Sequence, residues 1–178
     1  MARHSLDLTL DPVGDAVVRG WWERLHAAGL ASPHGHASTS NRPHVTLAAA
    51  AEMSADLAAQ AGAAVEPLLP VPVELGEPAT FTGRALVLHL PVVVPDELRT
   101  AVDRLRRAAE DPRADEPWAP HVTLVARLAL EDLPRALAVV EEEPPGAVVL
   151  AGLTWWDPQA RTVTRLVGPD AGRVEHHP

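Results

Sequence analysis

The chain has 178 residues, of which 47% are hydrophobic and 22% charged, with no cysteine. That balance suits one soluble globular domain spanning residues 1–178. It excludes a disordered chain, disulfides, thiolate nucleophiles and cysteine-based zinc sites. The formal net charge is −9 and all 15 basic residues are arginine, which excludes a long duplex nucleic acid but leaves room for a local arginine clamp on a small phosphorylated ligand or an RNA end.

The segment HSLDLTLD sets Leu6, Leu8 and Leu10 against Asp7 and Thr9, the period-two pattern of a half-buried strand. Asp11-Pro12 then reads as cap and first helical residue. The helix they open carries Val13, Val17, Trp21 and Leu25 at every fourth position and stops near Gly29. The loop ASPHGHASTSNRP delivers a strand beginning His44-Val45-Thr46-Leu47. Ser54 caps the next helix, with Leu57, Ala61 and Val65 inward, and proline-punctuated strands follow across residues 71–82.

Then the order restarts. RALVLHL alternates Leu86, Leu88 and Leu90 with Val87 and His89, and residues 95–110 place Leu98, Val102, Leu105 and Ala109 at helical spacing. A proline-rich loop leads to His121-Val122-Thr123-Leu124. A helix with Leu133, Leu137 and Val140 follows, then two strands joined at Asp157-Pro158, and a tail carrying His176-His177 that is expected to fray. The leucine strands are offset by 80 positions (86 − 6) and the histidines by 77 (121 − 44). Units of that length exceed solenoid repeats. They predict an α+β fold that is bilobal, with two pseudo-twofold-related halves, each an antiparallel sheet with helices on its outer face, and a groove between them.

Residues i and i+2 of a strand share a face. His44 and Thr46 therefore point one way, with Val45 and Leu47 packed beneath the helices of their own lobe, and the same holds for His121 and Thr123. Two imidazoles and two hydroxyls then face each other across the groove. One neutral and one protonated imidazole are what in-line displacement at phosphorus needs, while hydroxyls can hydrogen-bond the non-bridging oxygens. This scheme requires no metal and no cofactor.

Two His-x-Thr-x motifs, each starting a strand in one of two similar halves, resemble the hallmark of the 2H phosphoesterase superfamily. The likeness is to its bacterial 2'-5' RNA ligase-like, or RNA 2',3'-cyclic phosphodiesterase, branch, and it covers nearly the whole chain. The resemblance implies a metal-independent enzyme that opens 2',3'-cyclic phosphates of nucleotides or RNA 3' ends. In it His44 and His121 are the catalytic pair, one the base and the other the acid with the order left open, and Thr46 and Thr123 bind phosphate. Relatives often carry a basic residue soon after the second motif, near Arg127, and a Phe after the first, where this chain has LAAA. Cyclic oligonucleotides, a cyclic phosphate of ADP-ribose, 2'-5' ligation and a non-catalytic nucleotide-binding module are the alternatives.

Further substrate contacts are expected from Arg42, His89 and Arg127, and from Trp118 and Trp156 as stacking faces for a base. His34 and His36 lack the scaffold of a metal site, and residues 35–40 read as a loop rim beside the groove. No run approaches the roughly 18 apolar residues of a membrane span, and the charged, alternating N-terminus is expected to be part of the fold where a signal peptide would be continuously apolar. A cytoplasmic monomer is expected.

Overall fold

The computed structural model describes residues 3–34, 41–142 and 146–176. Each half opens with the expected strand, helix and motif strand: β1 (His4–Leu10), α1 (Pro12–Ala27) and β2 (His44–Ala50), then α2 (Ala55–Val65), β3 (Val71–Leu75) and β4 (Ala79–Phe81). The second series is β5 (Leu86–Val93), α3 (Asp96–Ala108), β6 (His121–Leu128), α4 (Leu133–Glu141), β7 (Ala147–Asp157), β8 (Thr162–Val167) and β9 (Val174–His176). The side chains of Asp11 and Ser54 accept from Gly14 N and Leu57 N, so both predicted caps close their helices.

One helix stripe departs from expectation. Val13 and Val17 are exposed, and α1 instead buries Gly14, Val18, Trp21, Trp22 and Leu25. A strict four-residue step overshoots a turn by about 40°, so a stripe read that way drifts off the buried face within three steps. The tail also differs from expectation. Residues 174–176 pair with β8 as an added strand, while His177, like the loop rim 35–40, lies outside the described residues.

All strand pairings among the described residues are antiparallel. The strand and motif strand of the first half extend into the order β2-β1-β7-β8-β9, and those of the second join β6 to β5 and β5 to β4. The closing strands are thus exchanged: β7, β8 and β9 come from the second half of the sequence and β4 from the first. Strand β3 pairs with both β5 and β7, linking the halves into one hydrogen-bonded network. The register exposes the internal symmetry. Asp7 pairs with Thr46 and His89 with Thr123, and in both halves a bulge follows at once, leaving two consecutive buried residues, Leu47-Ala48 and Leu124-Val125. The leucine strands are therefore equivalent at an offset of 82 (His89 − Asp7), not the 80 read from the sequence.

Among the described residues β2 pairs only with β1 and β6 only with β5, so both motif strands are edges, and they lie side by side at the seam. The helices cross that seam: α3 packs on β2 and α1 on β6. The apolar side of each motif strand is thus packed chiefly against the first helix of the opposite half, where its own was expected. Two indoles complete the exchange. Trp22 Nε1 in α1 donates to the carbonyl of Thr123 (3.1 Å), and Trp118 Nε1, ahead of β6, donates to that of Thr46 (3.0 Å). Asp111, buried with Arg106 at 3.7 Å, accepts from the Ala49 amide on the same edge of β2. Edge groups that would otherwise be exposed or unpaired are satisfied from across the seam.

Candidate active site

Each motif histidine is fixed through its own backbone. His44 Nδ1 lies 2.6 Å from the Arg42 carbonyl and His121 Nδ1 2.8 Å from that of Ala119. A carbonyl only accepts, so Nδ1 carries the proton in both rings, and the neutral tautomer leaves its lone pair on Nε2. Pro43 and Pro120 precede the histidines in sequence, and each proline ring fixes φ of the residue between the i−2 carbonyl and the imidazole that bonds it. Arg19 and Arg99, at matching places on α1 and α3, donate to the carbonyls three residues before each histidine, those of Asn41 and Trp118.

The surroundings of the two rings differ. Beside His44 stands Asp7, whose Oδ1 is 3.9 Å from Nε2. Its carboxylate accepts from Thr46 Oγ1 (2.9 Å) and from Ser5 Oγ (2.6 Å). Beside His121 stand two rings, Phe81 and His89, each edge-on to it at 4.8 and 5.1 Å between centroids. Phe81 lies flat on His89 at 3.8 Å. Burial pushes the His121 imidazole below its ordinary range, and nearby His44 and Arg113 add to this against the Ala119 hydrogen bond. Burial lowers His89 as well, with His121 adding to the effect.

Two adjoining cavities, both bordered by Ser5, flank the motif strands. One, of about 200 Å³, is lined by Asp7, His44, Arg42, Trp156, Arg165 and Glu175 among others. The other, of about 730 Å³, takes in Thr46, His121, Thr123, Phe81, Arg84 and Arg113. The row Thr46–Asp7–Thr154–Arg165 runs across four paired strands, and Ser5–Trp156–Val163–Glu175 runs beside it. Among the described residues no group of three or more histidines and carboxylates is placed to hold a metal ion.

The remaining predicted residues fall out differently. Arg42 lines the smaller cavity and pairs with Glu175 at 3.1 Å. Trp156 lines it too, while Trp155, facing the other way, stacks on His4. Trp118 is 7% exposed and serves as the tether to Thr46. His89, expected to face the groove, is 3% exposed and lines neither cavity, because Phe81 on the neighbouring strand covers it. Arg127 is exposed and lies outside both cavities, since the bulge shifts the facing of β6 beyond Thr123. Arg84, Arg113, Arg165 and Glu175 were not foreseen. Arg165 could have been found by parity, as it shares its strand face with Val163; Glu175 sits in a three-residue strand too short to leave a pattern.

A family model described as the 2'-5' RNA ligase superfamily matches residues 14–162. Among solved structures, TT0787 of Thermus thermophilus is similar at TM-score 0.57 and 20% identity, over 93% of this chain and 95% of that one. LigT of E. coli complexed with 3'-AMP is similar at TM-score 0.54 and 18% identity, covering 97% of this chain and 91% of that one. The apo form of LigT gives TM-score 0.54 and 17% identity, with the same coverage of 97% and 91%. At these identities the likeness concerns the fold. No curated protein matches the chain.

Proposed function

Because the chain belongs to the 2'-5' RNA ligase superfamily, we propose that it is a metal-independent phosphodiesterase that opens 2',3'-cyclic phosphates of nucleotides or short RNA ends in the cytoplasm. Two imidazoles on register-equivalent strands, each with Nδ1 held and Nε2 available, carry this reading. Hydrolysis needs a base on the side of the attacking water and an acid on the side of the leaving ribose oxygen. His121, desolvated and kept neutral, takes the proton from water. His44 gives a proton to the ribose oxygen as its bond to phosphorus breaks, and Asp7 supplies the counter-charge for the protonated ring.

Thr123, and Thr46 once its hydroxyl turns from Asp7, donate to the non-bridging oxygens. Arg84 and Arg113 give the larger cavity a cationic wall for the phosphate. E. coli LigT, whose fold this chain shares, has been crystallised with 3'-AMP, which supports a ligand of nucleotide size.

The test is turnover of 2',3'-cyclic nucleotides and of a short RNA ending in a cyclic phosphate, with EDTA present. Wild type should turn over, and His44→Ala and His121→Ala should each lose about 10²–10⁴-fold. A folded wild-type protein that turns over neither substrate, or that EDTA silences, would sink the reading.

A further inference from the structure

The two cavities differ in charge as well as size. The larger one holds Arg3, Arg84, Arg106 and Arg113 against Asp111 and Glu116, a formal surplus of two positive charges (4 − 2). The smaller one holds Arg42 and Arg165 against Asp7 and Glu175, a formal balance of zero (2 − 2). Glu175 enforces that balance, accepting from Arg42 at 3.1 Å and from Arg165 at 3.3 Å while itself only 12% exposed. A further phosphate gains nothing in a cavity so compensated; a neutral ligand with its own donors and acceptors does.

Size and shape narrow the class. At about 200 Å³ the cavity is below the roughly 300–1,000 Å³ that encloses a drug-sized molecule, and suits one flat ring system. Trp156 and Val163 provide apolar wall; guanidinium and carboxylate, held rigid by each other, provide the polar edge. The direction of the proposed reaction agrees. In an in-line opening of a cyclic phosphate the ribose lies on the side of the acid, and His44 borders this cavity.

We propose that the cavity beside His44 is a nucleobase subsite, with Trp156 as its stacking face and the Arg42–Glu175–Arg165 cluster as its hydrogen-bonding edge. The inference uses the reading above only for the side on which the ribose lies.

Calorimetry tests it without turnover. Nucleoside 2'- and 3'-phosphates are compared with the ribose phosphates that lack a base, on wild type, Trp156→Ala, Trp156→Phe and Arg84→Ala. Wild type should prefer the nucleotides. Trp156→Ala should cut that preference by about tenfold, the share of one stacking contact, and Trp156→Phe should restore most of it. Arg84→Ala should weaken both ligand types alike. Absence of any preference in wild type, or a preference unchanged in a folded Trp156→Ala, would overturn the subsite. A protein that turns over no cyclic phosphate yet loses base preference with Trp156 would keep the subsite and lose the proposed reaction.

Discussion

Asp7 and His89 occupy the same register position in the two halves, each directly opposite the motif threonine of the neighbouring strand. One is a carboxylate on the cavity wall, the other an imidazole shut beneath Phe81. The pseudo-symmetry that doubles the His-x-Thr motif is therefore broken at the residue beside it. An acid and a base drawn from identical side chains need such a difference in surroundings.

In the proposed reaction Asp7→Asn should lower kcat and leave KM nearly unchanged. The amide oxygen still accepts from Thr46, so the strand pairing survives, but a protonated His44 loses its counter-charge. His44 is 40% exposed, which puts the contact in the range of a screened pair of about 1 kcal/mol, or about fivefold in rate. Steady-state kinetics beside a thermal melt decide it. A KM effect with constant kcat would assign Asp7 to substrate binding instead.

The depressed His121 fixes the sense of the pH dependence. In the proposed reaction His121 is the base and must be neutral, so kcat/KM should fall on acidification with a midpoint below the about 6.5 of free imidazole. Stability follows in the same direction. Between the lowered folded values of His89 and His121 and about 6.5, the unfolded chain binds more protons than the folded one, so unfolding free energy rises with pH across that window. It should drop as pH falls below 6.5 and level off once the folded groups have titrated. His89→Asn removes one of the two and should flatten the acid slope of Tm. An acid limb at or above about 6.5 would remove His121 from the base role.

Much of this was legible in residue order. The repeated HVTL, the alternating leucines and the caps at Asp11 and Ser54 are local signals, and local signals survive in one dimension. The bulges after Thr46 and Thr123 were not legible, because a buried Leu-Ala or Leu-Val pair reads equally as the end of a strand. Nor was the exchange of helices across the seam, since amphipathic stripes on α1 and α3 say that a face is buried but not by which strand. Parity alone assigns His89 to the groove. Parity gives the face of the sheet, and only the neighbouring strand, with Phe81 on it, decides whether that face is open.

The crossed indoles make the last prediction. Trp22→Phe and Trp118→Phe keep an aromatic ring but remove the donor to the carbonyls of Thr123 and Thr46. Each should cost about 1–3 kcal/mol in denaturant unfolding, the penalty for a polar group deprived of its partner inside the protein. Both bonds span the same seam between β2 and β6, so loosening it once weakens the hold of the other. The double variant should therefore cost less than the sum of the singles by about 0.5 kcal/mol or more, the coupling expected of residues that share a structural element. Strict additivity would mean that each indole fixes only its own strand, and the two motif histidines would then be held in place by their own halves rather than by the contact between them.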